Sequence, residues 1–276
     1  MKADEKRCSC KGIRSCLLCE YSSKNTTVAH EKLQITTYLY CNKCQKAWAE
    51  QQQRKQHPDH EGASMEYPGI FLKEEFISAE EEEFLTKQID LSPFVDSQSG
   101  RRKQDYGPKV NFKKQKVKCS AFTGLPSFSK FLVDRFASIP ELSGFVPVEL
   151  CNLEYEPSRG AAIDAHFDDF WIWGERLVTV NLLSDTYLSM SLETNPGIAV
   201  RVPLPRRSLI VVYGPARCQW KHAIHRQDIE SRRLAMTFRE PTVDFLPGGP
   251  HSDIGDQLIR TALTFQGISV AETSDR

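Results

Sequence analysis

A short acidic segment in the second half of the chain, DAHFDDF at residues 164–170, contains side chains that bind metals in other proteins. His166 and Asp168 are two positions apart, so on a β-strand both side chains project from the same face. A non-haem Fe(II) oxygenase needs two imidazoles and one carboxylate on one side of the metal, with the other positions open. A His-x-Asp pair alone also arises by chance, and a surface turn rich in acidic residues is the competing interpretation.

The segment QWKHAIHR, residues 219–226, supplies a second candidate ligand. Strand alternation places His222 on one face and His225 on the other. His225 is the alternative ligand, but the strand phase and the spacing to the arginines that follow favour His222.

The next segment, RRLAMTFRE at residues 232–240, has a period of two that is typical of a strand. Arg233 and Arg239 lie on the same face, and Arg232 lies on the opposite face, which we expect to point away from the site. An inward-facing arginine must find an anion, because burying an unpaired charge is costly. A planar guanidinium suits a carboxylate, and 2-oxoglutarate carries two of them.

From Val148 onward the chain consists mainly of short strand-like runs separated by turn residues. These strands must position the candidate side chains. Two helices are predicted before them, from Ser78 to about Ile89 and over residues 127–137, and a last helix over about residues 253–264. The order of elements predicts an α+β protein with a jelly-roll core, supporting helices and a small Cys-rich N-terminal segment.

The arginine-containing strand resembles the signature of the AlkB family of Fe(II)/2-oxoglutarate-dependent dioxygenases, as do KHAI and HFD, in the same order along the chain. The resemblance runs from about Pro68 to Gly267 and implies a double-stranded β-helix core. It implies Fe(2+), 2-oxoglutarate and O2 as cofactor and co-substrates. It implies that the iron ligands are His166, Asp168 and His222. It also implies that 2-oxoglutarate is bound by Arg233, Arg239 and Tyr155. Where the family often has asparagines, this chain has Leu153 and Ala235, and Asn152 is shifted by one position from the first of them. A contact from Asn152 to 2-oxoglutarate is therefore left open.

A basic stretch, GRRKQDYGPKVNFKKQKVK from Gly100 to Lys118, carries interleaved aromatic residues. Basic residues track phosphates and aromatic rings stack on bases, so a nucleic-acid contact is one hypothesis. A solvated basic hairpin, or a docking surface for an acidic protein, is the alternative. GRRKQDYG also resembles the family's substrate-recognition region, which makes Arg101, Arg102 and Tyr106 candidate substrate contacts.

Six of the nine cysteines fall within the first 44 residues, at Cys8, Cys10, Cys16, Cys19, Cys41 and Cys44. Two C-x2-C pairs about twenty residues apart are typical of a structural Zn(2+) site, although the spacing does not decide which four would bind. Free thiols on a flexible tail are the alternative. A polar run ending near residue 62 predicts a division into a Cys-rich segment, 1–61, and a dioxygenase domain, 62–276.

The formal net charge is zero, so the protein as a whole is not built to adhere to nucleic acid or to an anionic membrane. The family resemblance implies oxidative N-demethylation, with a methylated lysine in a protein, actin being the implied candidate, or N6-methyladenine in DNA as substrate. A non-catalytic binding module with a vestigial metal site is the alternative function. We find no signal peptide or transmembrane segment, and the resemblance implies cytoplasm and nucleus.

Overall fold

The computed structural model describes residues 16–17, 35–50 and 57–269. Its strands are β1 Thr36–Cys41, β2 Lys46–Ala49, β3 Ser64–Glu66, β4 Ile70–Lys73, β5 Val95–Asp96, β6 Arg102–Tyr106, β7 Lys109–Asn111, β8 Lys116–Lys118, β9 Glu149–Tyr155, β10 Ile163–His166, β11 Trp173–Leu182, β12 Thr186–Leu192, β13 Ile198–Leu204, β14 Leu209–Val212, β15 Trp220–Ile224 and β16 Arg233–Pro241. Its α-helices are α1 Ala79–Asp90, α2 Lys130–Phe136, α3 Gly214–Cys218 and α4 Ser252–Ala262.

Fourteen of these strands form two seven-stranded sheets. The first sheet has the order β10-β15-β12-β13-β1-β2-β3, and the second has the order β4-β14-β11-β16-β9-β6-β5. Within the described ranges, β1 with β13 is the one parallel pairing, and the others are antiparallel. The predicted double-stranded β-helix with supporting helices is confirmed.

The second sheet has an apolar layer on each of its faces. Along β16, Met236 and Phe238 pack with the helices in one cluster, while Ala235 belongs to the other cluster, between the sheets. The ring of Phe136 in α2 lies edge-on to Phe238 at a centroid distance of 5.2 Å. The helices therefore cover the outer face of β16, and its inner face is left to line a cavity.

The helices agree with the sequence patterns that predicted them. Ser78 accepts a hydrogen bond from the backbone N–H of Glu81, and the Glu81 side chain accepts one from the backbone N–H of Ser78. This reciprocal capping box begins α1 as predicted. The helices predicted over residues 127–137 and 253–264 are also present, the first as a 3-10 turn that continues into α2.

Strands β1, β2 and β3 extend the first sheet beyond β13. The division predicted near residue 62 therefore falls inside a hydrogen-bonded sheet, with β2 before it and β3 after it. None of the helices described is long and apolar enough to cross a membrane.

Candidate active site

His166, Asp168 and His222 come together where two neighbouring strands of the first sheet meet. His166 in β10 pairs directly with His222 in β15, and Asp168 follows two residues after the end of β10. One ligand atom from each side chain lies within 4.8 Å of the others. The structure thus unites the three residues that the sequence selected, and it leaves His225 exposed at the end of β15, outside the cluster.

The two histidines present their Nε2 atoms to the carboxylate. Nε2 of His166 lies 3.4 Å from Oδ1 of Asp168, and Nε2 of His222 lies 3.9 Å from the same oxygen. Nδ1 of His166 lies 2.8 Å from the carbonyl oxygen of Asp164, so this nitrogen acts as the donor. A hydrogen bond of this kind fixes the tautomer in which Nε2 carries the lone pair that a metal needs.

Burial and neighbouring charges keep these groups in the protonation states that bind a cation. Burial alone would raise the pKa of Asp168, but Arg239 and the two histidines outweigh it and hold that pKa well below its usual range. Burial, followed by repulsion from His166, lowers the pKa of His222 to about 3. At neutral pH the cluster therefore offers a carboxylate and, at His222, a neutral imidazole.

Arg239, near the end of β16, holds the metal-facing carboxylate in place. Its Nε donates to Oδ2 of Asp168 at 2.7 Å, and its Nη1 donates to Oε2 of Glu149 at 2.5 Å. Asp168 and Glu149 more than offset the effect of burial and hold the pKa of Arg239 well above its usual value. The second oxygen of Asp168 is thus occupied, and Oδ1 is the atom left to face the metal.

Arg233 lies six residues earlier on the same face of β16, and its surroundings are different. Its side chain is 2% exposed, and its Nε donates to Oδ1 of Asn181 at 2.6 Å. Its Nη1 is buried and has no hydrogen-bond partner. The guanidinium lies 4.9 Å from the ring centroid of Tyr155, which is its cross-strand neighbour on β9. A buried cation with an unused donor is suited to an anion.

The three metal-binding candidates and both arginines line one cavity between the sheets, of about 80 Å³. The rest of the lining is mainly apolar and includes Leu188, Leu204, Ile210, Val212 and Ile224. A site with two imidazoles, one carboxylate and an unsatisfied guanidinium in an apolar enclosure fits Fe(II) together with a dicarboxylate.

Comparison with known proteins agrees with this geometry, although no family model matches the chain. A Homo sapiens protein named "Alpha-ketoglutarate-dependent dioxygenase alkB homolog 4" is 47% identical over 294 residues, covering 95% of this chain and 95% of that protein. A Caenorhabditis elegans protein named "DNA N6-methyl adenine demethylase" is 37% identical over 280 residues, covering 94% and 96% respectively. The chain belongs to the AlkB family of 2-oxoglutarate-dependent dioxygenases.

Membership of the AlkB family implies Fe(2+) and 2-oxoglutarate, the pair to which the donor set is suited. A solved structure described as "The structure of OsALKBH1" superposes with a TM-score of 0.46 at 15% identity, covering 62% of this chain and 98% of that one.

Several residues near the AlkB cavity were ambiguous in the sequence, and the structure gives each of them a position. Asn152 faces the opposite side of β9 from Tyr155, where its Nδ2 donates to Gln104 at 2.9 Å, so it does not line the cavity. Asp169 accepts hydrogen bonds from the backbone N–H groups that follow it, 2.8 Å from that of Trp171. Arg232 points away from the site, as predicted, and pairs with acidic side chains on the outer face.

The three substrate candidates from the basic stretch occupy different environments. Arg102 pairs with Glu154, and Tyr106 is buried against Phe128, so neither of them lines the cavity. Arg101 is 2% exposed and its guanidinium lies 6.0 Å from the ring centroid of Tyr155, with Nε and Nη2 both lacking a partner. Of the three, Arg101 alone lies beside a residue that lines the active-site cavity.

Sequence reasoning missed three polar residues that support the site. Glu149 and Asn181 hold the two cavity arginines, and Arg217 in α3 donates to the backbone carbonyl oxygen of Asp168 at 3.1 Å. For the first two, the available signal was a polar residue inside a strand-like run. No pattern in α3 identified Arg217, because its contact spans 49 residues of chain.

The N-terminal cysteines are only partly described. Cys8, Cys10 and Cys19 lie outside the described residues, and Cys16 lies within them but not in a metal-binding group. Cys41 and Cys44 lie at the turn between β1 and β2.

Proposed function

We propose that this dioxygenase carries out oxidative N-demethylation, with His166, Asp168 and His222 binding Fe(II), and Arg233 binding a carboxylate of 2-oxoglutarate. The observation that carries the proposal is the unpartnered Nη1 of Arg233 in the same apolar cavity as the three metal-binding candidates. Tyr155, which lies beside Arg233, would share that carboxylate.

When bound at these residues, iron would supply the activation of O2 for hydroxylation of a substrate C–H bond, with 2-oxoglutarate converted to succinate and CO2 as one oxygen atom enters each of succinate and the substrate. Hydroxylation of an N-methyl carbon gives a hemiaminal, which breaks down to the free amine and formaldehyde. Formaldehyde is therefore the product that distinguishes demethylation from stable hydroxylation.

The protein's own residues prepare the site for that chemistry. The Nε of Arg239 donates to Oδ2 of Asp168 at 2.7 Å, which leaves Oδ1 to face the metal position. The apolar side chains around the cavity exclude water, which strengthens the charge interactions inside it. The ordered hydrogen bond from His166 to the Asp164 carbonyl fixes the imidazole before any ligand arrives.

For the substrate, we favour a methylated lysine in a protein, with actin the candidate that the family resemblance implies. A net charge of zero supports a protein rather than a polyanion, and the apolar cavity lining suits the aliphatic part of a lysine side chain. The enzyme would then act in the cytoplasm and the nucleus, as the resemblance implies.

N6-methyladenine in DNA is the second candidate, and two observations support it. The Caenorhabditis elegans relative is named as a demethylase of that base. In addition, the β7–β8 hairpin presents the exposed lysines Lys109, Lys113, Lys114, Lys116 and Lys118 next to the half-exposed Phe112.

The test is formaldehyde release by purified enzyme with Fe(II), ascorbate and 2-oxoglutarate, using methyl-lysine actin and an N6-methyladenine oligonucleotide in parallel. We expect formaldehyde in step with succinate on the actin substrate and none with Asp168→Ala. Formaldehyde release with the DNA substrate alone would show that N6-methyladenine, and not methyl-lysine, is the substrate. Succinate without formaldehyde on either substrate would contradict demethylation of both.

A further inference from the structure

A second cluster of metal-ligand residues lies at the start of the described chain, on different strands from the iron candidates. Cys41 ends β1, Cys44 lies in the turn to β2, and His57 and His60 lie in the segment that leads into β3. One ligand atom from each of the four side chains lies within 4.8 Å of the others.

We propose that Cys41, Cys44, His57 and His60 bind one structural Zn(2+). Two thiolates and two imidazoles are a donor set that closes a tetrahedron around zinc, with no position left open for a substrate. The proposal is independent of the demethylase function, because none of the four side chains lines the active-site cavity.

The immediate surroundings of the cluster support a built site. The Nε2 atom of His60 is buried and has no hydrogen-bond partner, although an imidazole nitrogen removed from water needs one. Trp48 orders two of the four ligands: its Nε1 donates to the sulfur of Cys44 at 3.3 Å, and its ring stacks on that of His60 at 4.8 Å. Partners of this kind orient metal ligands.

The backbone of the turn also places both sulfurs on one side. The N–H of Gln45 donates to the carbonyl oxygen of Cys41 at 2.8 Å, and Gln45 has a left-handed φ of 55°. The turn reverses the chain direction within a few residues, so that Cys41 pairs with Lys46 in the antiparallel hairpin. Asn42 donates from Nδ2 to the carbonyl oxygen of Leu72 at 2.9 Å, which fastens the turn to β4 of the second sheet.

A metal in this position has a structural purpose that follows from the topology. The β1–β2 hairpin extends the first sheet through β13 and contacts β4, the edge strand of the second sheet. Zinc would join this hairpin to the segment before β3, and would fix the sheet extension where only short strands hold it. The spacing C-x2-C, twelve residues, H-x2-H is close to that of two-cysteine, two-histidine zinc sites.

The first measurement is the metal content of the full-length protein and its variants by mass spectrometry, after gel filtration. We expect one zinc per chain in the wild type, and its loss in Cys44→Ser and in His60→Ala. The matched controls Cys218→Ser and His225→Ala alter an exposed cysteine and an exposed histidine outside the cluster, and should retain the zinc. Asp168→Ala should lose iron and retain zinc.

X-ray absorption at the zinc edge of the iron-loaded wild type provides a second measurement that needs no variant. We expect two sulfurs at about 2.3 Å and two nitrogens at about 2.0–2.1 Å. A wild type without zinc, a shell of four sulfurs, or zinc retained in both cluster variants and lost in Asp168→Ala would overturn the proposal.

Discussion

Arg233 and Arg239 share one face of β16, yet their side chains differ in what they have left to bind. Arg239 already donates to Asp168 and Glu149, whereas Arg233 retains a buried Nη1 without a partner. At the residue scale, we therefore assign Arg233 to co-substrate binding and Arg239 mainly to holding the metal ligand. Replacing Arg233 should therefore weaken 2-oxoglutarate binding, whereas replacing Arg239 should weaken iron binding.

Replacing Arg233 by Met should weaken 2-oxoglutarate binding and leave iron binding intact. Hydrogen bonds to a charged group contribute about 1.5–3 kcal/mol, so we expect KM for 2-oxoglutarate to rise roughly 10- to 100-fold. Arg232→Met is the matched control, since the adjacent arginine faces the outer side and pairs with Asp90. An unchanged KM in Arg233→Met, or an equal rise in the control, would argue against the assignment.

Replacing Arg239 by Gln should instead weaken the binding of Fe(II). Asp168 would lose its charged partner in a buried position, and changes to residues that orient metal ligands weaken metal affinity about 10- to 100-fold. Anaerobic titration with Fe(II) measures the effect, with Arg232→Gln as the control. Wild-type iron affinity in Arg239→Gln would show that this contact does not orient the carboxylate.

At the element scale, a buried carboxylate of α1, that of Glu82, binds to the loops of the jelly roll, in addition to the apolar contacts of Leu85 and Ile89. Glu82 is 2% exposed and accepts hydrogen bonds from the backbone N–H of Leu183 and from Nε of Arg206, each at 2.7 Å. Its neighbour Glu83 is exposed and pairs with Lys87, one turn along the helix.

Glu82→Ala should therefore destabilise the fold by about 2 kcal/mol, because it leaves the N–H of Leu183 without its acceptor. Glu83→Ala removes a surface pair and should change the free energy of unfolding by less than about 0.5 kcal/mol. Urea unfolding of both variants beside the wild type measures the difference. Equal stability in the two variants would mean that Glu82 does not anchor the helix.

The elements that the sequence predicted are those whose signals are local. The capping box at Ser78 and Glu81 begins α1, and the alternation along RRLAMTFRE places both arginines on the cavity face of β16. The parallel pairing of β1 with β13 could not be predicted, since it joins Thr36 to Ile198 and no local pattern records such a contact. The attachment of Glu82 to Leu183 was missed for the same reason.

At the scale of the whole molecule, the protein has no net charge, yet the described part of the chain contains a strongly basic hairpin. The β7–β8 hairpin holds five exposed lysines, while lysine and arginine together balance aspartate and glutamate over the chain at 36 each. The hairpin should contact the phosphates if the substrate is DNA. Reversing the charge of its lysines therefore tests whether the protein binds DNA through this hairpin.

Lys116→Glu with Lys118→Glu should lower DNA affinity and make it less dependent on salt, since each lost phosphate contact reduces the slope of log K against log [salt] by about 0.9. Lys87→Glu with Lys130→Glu, which reverses two exposed lysines on the helices, is the control. Binding measured by fluorescence anisotropy across a salt series gives the slope. An unchanged slope would exclude the hairpin from DNA binding.

The sequence predicted the metal-binding and co-substrate-binding candidates of the site, but it did not predict the polar residues that hold them in place. His166, Asp168, His222, Arg233 and Arg239 form motifs with strand spacing, which the structure brings into one cavity. The supporting contacts come from elements remote in sequence. His57 and His60 could not be chosen as ligands before the structure placed Cys41 and Cys44 beside them.

The most direct test of the central claim is conversion of 2-oxoglutarate to succinate by purified protein with Fe(II), ascorbate and oxygen. Asp168→Ala removes the candidate metal ligand, and Asp169→Asn is the matched control because it retains the oxygen that accepts from the Trp171 N–H. We predict succinate from the wild type and from Asp169→Asn, and none from Asp168→Ala. Equal turnover in Asp168→Ala, or none in any of the three with iron bound, would contradict the proposed site.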